Sequence, residues 1–138
     1  IDGVYGNLNY ISQSNENKII RKWISCNFNS SLLGKGWMPA HPTLFLKKSI
    51  YLKHGYFNLK YSISADYDFM VRVLKDNDLN FLYIPSVITK MRLGGNSNRS
   101  LLNLIKKTKE DYLIIRSNKI GGFFTLFLKN FLKLNQFF

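Results

Sequence analysis

The period of the hydrophobic positions changes several times along the chain, and each change marks an element. Val4, Leu8, Tyr10 and Ile11 read as an opening strand, with Gly3 and Gly6 as expected bends. Residues 12–18 are polar and read as a turn. Residues 19–25 read as a returning strand, so the spacing predicts a hairpin. Residues 27–36 read as a loop or a short helix ended by glycine. Residues 37–42 read as an irregular loop, because Pro39 and Pro42 disfavour helix and central strand alike. A short apolar strand is expected at 43–46, then a helix at 48–54 stopped by Gly55. After a polar loop at 58–64, residues 66–75 carry the clearest helical period, with Phe69, Met70 and Val73 on one face.

Residues 80–91 are rich in β-formers (Phe81, Tyr83, Ile84, Val87, Ile88). The run is expected to be broken at Pro85 and ended by Gly94-Gly95. Ser97 or Asn98 can cap a long helix reaching about Arg116, striped by Leu101, Leu104, Ile105, Tyr112 and Ile115. Gly121-Gly122 separates it from a last segment rich in Phe and Lys. Strands alternating with helices predict an α/β chain. No internal repeat and no low-complexity linker interrupts it.

Composition narrows the class. At 138 residues and 46% hydrophobic, the chain is long enough to bury roughly two-thirds of its unfolded surface, which excludes intrinsic disorder. Nine Gly and three Pro exclude collagen-like and Pro/Gly-rich classes. The single cysteine, Cys26, excludes an internal disulfide framework and a cysteine zinc site, and it fits a reducing compartment. No signal-peptide pattern is visible, and an opening at Ile1 reads as a fragment that starts upstream. The most apolar stretch, 121–128, is too short to span a membrane and is followed by Lys129 and Lys133.

Charge adds a direction. Twenty Lys and Arg against eight Asp and Glu leave +12. A pI near 9.9 attracts polyanions, whether nucleic acid, an anionic membrane or phosphate-bearing small molecules. A merely solvated, lysine-rich surface explains the charge as well. The basic residues are dispersed, which argues against a specific nucleic-acid groove.

Few motifs carry chemistry. No glycine-rich phosphate loop, HExxH or CxxC occurs, no Ser-His-Asp order can be assembled, and His41 and His54 are too few for a histidine metal site. The strongest local feature runs from Ser64 to Arg72, where carboxylates stand at the entry of an amphipathic helix. Two readings fit. Asp66 is an N-cap with Asp68 a first-turn acid complementing the helix dipole, or Asp66 is a positioned general base. The loop from Trp37 to Pro42 is either a packed connector or a rigid surface suited to a sugar ring.

Together, several segments resemble family 2 glycosyltransferases: Asp2-Gly3-Val4-Tyr5-Gly6-Asn7, Arg21-Lys22-Trp23, Gly36-Trp37-Met38-Pro39-Ala40-His41-Pro42-Thr43, Gly55-Tyr56-Phe57, Ala65-Asp66-Tyr67-Asp68-Phe69 and Met91-Arg92-Leu93-Gly94-Gly95-Asn96-Ser97. Each is weak alone, and the set is specific because it falls in order over nearly the whole chain. The resemblance is to the second half of the catalytic domain only. It implies the acceptor-side half of a GT-A (Rossmann-like) domain at residues 1–95, a mixed sheet with flanking helices, and a basic, aromatic helical extension at 96–138.

The resemblance also implies roles. Ala65-Asp66 occupies the position of the family's acidic pair, so Asp66 is the expected general base, Asp68 the fallback, and the absent Glu a departure. Trp37 and His41 fall on the acceptor side. Arg92, Gly94 and Gly95 fall near the donor diphosphate. The implied reaction is inverting transfer from a nucleotide sugar to a saccharide or lipid-linked acceptor in cell-envelope polysaccharide synthesis. One carboxylate suffices, because a diphosphate neutralised by Mg²⁺ or Mn²⁺ leaves without a general acid. The family's Asp-x-Asp metal motif lies in the half not represented here, and no metal site is expected in this chain. Alone, the chain is expected to be inactive and to expose a sheet edge and an apolar face, inviting self-association or pairing with an N-terminal half.

The tail at 122–138 reads as a basic amphipathic helix on an anionic membrane or as a helix packing its Phe face on the domain. The first reading suits a cytoplasmic enzyme on the inner face of the cell membrane. The rivals are a non-catalytic basic module for membrane or nucleic acid and an inactive transferase remnant.

Overall fold

A computed structural model describes residues 1–94 and 100–137. The chain is mixed α/β, built on an open four-stranded sheet. Its central strand is β1 (Gly3–Ile11). Along one edge, β1 pairs antiparallel with β2 (Ile19–Trp23), from Leu8↔Trp23 to Ile11↔Ile19, which is the expected hairpin. The same edge takes β3 (Phe45–Leu46) at Gly3↔Leu46 and Val4↔Phe45. The opposite edge pairs in parallel with β4 (Phe81–Arg92) over the whole length of β1.

Two expectations about this sheet are corrected. Gly3 and Gly6 are not bends; they lie inside β1, where neighbours approach too closely for a side chain. A Cβ on Gly3 would sit 2.5 Å from the Leu46 side chain, and one on Gly6 would sit 2.9 Å from Ile88. Pro85 does not break its strand either. The pairing steps from Tyr5↔Tyr83 to Asn7↔Val87, so Pro85 lies in a bulge where its missing N–H breaks no ladder bond. The far edge of β4 has no strand partner among the described residues, and Leu82, Val87, Ile88 and Met91 are exposed along it.

The helices follow in chain order: α1 (Ser31–Gly34), α2 (Lys48–His54), α3 (Ala65–Leu74), α4 (Leu101–Ser117) and α5 (Phe123–Leu134). Short 3₁₀ turns stand at His41–Thr43 and Asn135–Phe137. Gly55 follows α2 with φ 76°, the left-handed stop its position predicts. α3 is buried on most of its circumference, not on one face. It joins three apolar clusters: with Tyr61, Ile114, Ile115 and Leu126, with Leu33, and with Ile50. The first of these spans the expected boundary between 95 and 96.

The last two helices depart most from the sequence pattern. Ser100 caps α4, its Oγ accepting from the Asn103 N–H at 3.1 Å; the expected caps Ser97 and Asn98 lie outside the described residues. Of the expected stripe only Ile115 is buried, while Leu101 is 72% exposed and Leu104 and Ile105 are open. The packed face is Glu110, Asp111, Ile114 and Ile115. α5 likewise buries Thr125, Leu126 and Lys129 and turns Phe123, Phe124, Phe127 and Phe131 outward. The outward rings stack on one another, Phe124 on Phe127 and Phe127 on Phe131, at 6.4 and 6.2 Å. Among the described residues no helix is long and apolar enough to cross a membrane.

α5 is held to the sheet side by the loop before Trp37. Thr125 Oγ1 donates to the Gly34 carbonyl at 2.8 Å. Gly36, at φ 72°, lies so close that an added Cβ would meet the Lys129 Cβ at 2.5 Å and the Thr125 carbonyl at 2.7 Å. Gly36→Ala is therefore expected to lower stability by about 1–3 kcal/mol through overpacking and backbone strain. Urea unfolding should show the midpoint falling at constant m; an unchanged midpoint would mean that α5 does not seat here.

Candidate functional site

The entry of α3 is fixed by an acidic pair on α4. The Glu110 carboxylate accepts the backbone N–H groups of Ser62, Ile63 and Ser64 at 2.8–3.0 Å and the Ser62 hydroxyl at 3.1 Å. Burial opposes ionisation of Glu110, but these bonds outweigh it and hold its pKa below the ordinary value. Asp111 accepts the Ser64 hydroxyl at 2.7 Å. The turn before α3 is thus pinned at three consecutive residues. Ser64 takes the N-cap position without a side-chain cap bond, and Asp66 is the second residue of the helix, not its cap.

Asp66 is half-buried. Its Oδ1 accepts the Tyr67 N–H at 2.8 Å, and it has no ion pair among the described residues. It lines a cavity of about 260 Å³ together with His41, Tyr10, Arg21 and Trp23. Burial pushes the Tyr10 phenol up, and the Asp66 charge adds to that rise against the opposing Arg21. Arg21 lies over the Tyr10 and Trp23 rings at 4.7 and 5.6 Å, and its Nε donates to Gln136 Oε1 at 2.6 Å. The His41 ring meets Phe57 edge-on at 5.7 Å. The arrangement is a carboxylate at a helix start facing an aromatic wall.

Below this rim lies a cationic floor. Lys107 and Lys129 donate to the same Asp111 oxygen at 2.8 and 2.7 Å. Lys133 lines the cavity beside them. Burial, then Asp111 and Lys107 in opposite senses, leave the Lys129 ammonium lowered to about 8. Burial and the two neighbouring lysines lower Lys133 further, to about 6. For Lys107 the attraction of Asp111 exceeds the effect of burial, and its pKa is raised.

The other expected site residues are placed elsewhere. Trp37 lines an adjacent cavity of about 280 Å³ that shares Trp23, Met38, Lys129 and Lys133 with the first. Its ring packs against Phe28 at 5.8 Å and Tyr5 at 6.0 Å. Asp68 is buried and bonded to Arg72 Nε at 2.9 Å and Asn118 Nδ2 at 3.5 Å, and it lines neither cavity. Arg92 braces the β1–β2 turn through the Gln13 carbonyl at 2.9 Å and stands 3.8 Å from Glu16. Gly94, two residues beyond the end of β4, has φ 129°, and Gly95 lies outside the described residues.

Sequence reasoning missed Glu110, Asp111 and the three lysines. The available signal was an adjacent acid pair inside a helix of a chain with only eight acids. The carboxylates beside Asp66 do not fit a divalent ion, because Asp111 is fully engaged by Ser64, Lys107 and Lys129. No group of three or more metal-ligating side chains occurs among the described residues. The Mg²⁺ or Mn²⁺ expected with a diphosphate donor therefore has no ligands assigned here. No protein-family model, no curated protein and no solved structure matches the chain.

Proposed function

We propose that this chain is the acceptor-side half of an inverting GT-A glycosyltransferase that builds cell-envelope polysaccharide, with Asp66 as the general base. One observation carries the reading: a half-buried carboxylate without an ion pair among the described residues, held at a helix start, shares one cavity with His41, Tyr10 and Trp23. A sugar hydroxyl is a poor nucleophile and needs a base within hydrogen-bond reach. Aromatic and imidazole walls suit the flat, mixed-polarity faces of a sugar ring.

In the proposed step the acceptor hydroxyl gives its proton to Asp66 while its oxygen bonds to the anomeric carbon. The bond from that carbon to the donor phosphate oxygen breaks, and the nucleoside diphosphate leaves with the electron pair. Attack from the face opposite the leaving group inverts the anomeric centre. Asp68 is not proposed as the base, since its carboxylate is committed to Arg72.

The open edge of β4 supports the reading of a half domain, because a long edge strand with exposed apolar side chains is normally paired or covered. The outward Phe face of α5 supports placing the enzyme on the inner surface of a membrane, where a lipid-linked acceptor would be met. The coding sequence immediately upstream of Ile1 tests the proposal. An in-frame nucleotide-binding half ending in an Asp-x-Asp motif is expected; a stop codon or unrelated sequence would overturn it.

A further inference from the structure

We propose that Lys107, Lys129 and Lys133 form a diphosphate-binding site on the floor of the Asp66 cavity, which holds the phosphorylated end of a lipid-linked acceptor. The assignment to an acceptor rests on the transferase reading; the anion site does not. The argument begins with unmatched charge. Asp111 is 1% exposed, and both its oxygens are used: Oδ1 by Ser64, Oδ2 by Lys107 and Lys129 together. Lys133 has no carboxylate partner among the described residues. Three ammonium groups around one carboxylate would carry an excess of two positive charges. Such an excess is costly unless an anion joins it. Without an anion that cost falls on Lys133, which burial and the neighbouring lysines lower to about 6. A diphosphate diester carries two negative charges and several acceptor oxygens, which matches the excess.

A second observation points the same way. Tyr67 lines this cavity, and its hydroxyl is buried without a hydrogen-bond partner among the described residues. It is a donor with nothing to donate to, whereas the other buried polar side chains among the described residues are satisfied. A phosphate oxygen is a fitting acceptor.

The lipid source is favoured over a nucleotide by the helix that carries two of the lysines. α5 turns Lys129 inward and Phe123, Phe124, Phe127 and Phe131 outward. One helix can therefore lie on acyl chains with one face and receive a headgroup diphosphate with the other. Asp66 lines the same cavity, so a ligand anchored by its phosphates would lie near the base.

The test is binding to the 138-residue chain in detergent micelles, followed by tryptophan fluorescence, since Trp23 lines the cavity. Inorganic pyrophosphate should bind saturably. Lys133→Gln should weaken it about tenfold or more, as expected for a lost charge-assisted bond. Lys18→Gln, which removes the same charge from an exposed turn, should change little. A short prenyl diphosphate should compete with pyrophosphate and bind more tightly than a nucleoside diphosphate. Equal losses for the two variants, or no saturable binding, would overturn the site. Tighter binding of the nucleoside diphosphate would overturn the acceptor assignment. If Lys133→Gln does not fold, the wild-type chain labelled at lysine Cε still decides. Pyrophosphate should raise the Lys133 pKa, which burial and the neighbouring lysines lower to about 6, and an unmoved lysine titration would refute the proposal. Asp66→Asn should keep pyrophosphate binding. Absence of pyrophosphate binding to the wild type therefore sinks this inference alone, whereas absence of sugar transfer by the complete wild-type enzyme would sink the transferase reading alone.

Discussion

Asp111→Ala is expected to remove about 3–5 kcal/mol of stability. The carboxylate receives Lys129, Lys107 and Ser64 at 2.7, 2.8 and 2.7 Å. Alanine would leave two buried ammonium groups and a hydroxyl without a partner, with Lys133 close by. It would also loosen the turn that Ser64 forms before α3. Since domains are typically stable by only 5–15 kcal/mol, a loss of this size threatens folding outright. Asp111→Asn, which keeps the shape and the bond from Ser64, should fall between alanine and wild type. Urea midpoints of the three proteins check the order; a loss below about 1 kcal/mol for alanine would show that the lysines relax into solvent. Acid should act in the same direction. Burial raises the Asp111 pKa, but Lys129 and Lys107 outweigh it and lower the folded value below the ordinary 3.8. The contribution is then complete above that ordinary value and is lost as pH falls through the folded one.

Elements set by local spacing were legible in the sequence. The hairpin of β1 and β2, α2 with its stop at Gly55, and α3 all lie where period and turn residues put them, because neighbours along the chain decide them. The parallel pairing of β1 with β4 was not legible. It joins residues about eighty positions apart, and no local period encodes it. Its consequences misled in turn, since Gly3 and Gly6 look like bends until Leu46 and Ile88 arrive beside them.

α4 and α5 show a different limit. Periodicity finds an apolar stripe but does not say what covers it. In α4 the stripe through Leu101, Leu104 and Ile105 faces out, and the acids pack inward because the turn before α3 needs three N–H acceptors there. Lys129 and Lys133 read only as the basic side of an amphipathic tail for the same reason: the fold alone supplies Asp111 and Lys107 to pack against them. Of the site, Asp66 and His41 were named from sequence and do share a cavity, whereas Asp68, Trp37 and Arg92 each serve a packing or bracing contact.

Asp66→Asn is expected to lower sugar transfer by the complete enzyme about 10²–10⁴-fold, the range for removing a positioned general base. The change is isosteric and keeps an oxygen for the Tyr67 N–H, so the turn and the cavity should persist. Loss of rate without loss of the urea midpoint is the expected signature. Asp68→Asn should do the reverse. It breaks the buried pair with Arg72 and lowers stability while leaving turnover per folded molecule near wild type. The most direct measurement compares the two variants side by side in the complete reading frame, scoring release of nucleoside diphosphate with transfer to the acceptor. The account predicts loss of turnover in Asp66→Asn and retention in folded Asp68→Asn. Full turnover in Asp66→Asn, or loss confined to folded Asp68→Asn, would contradict it.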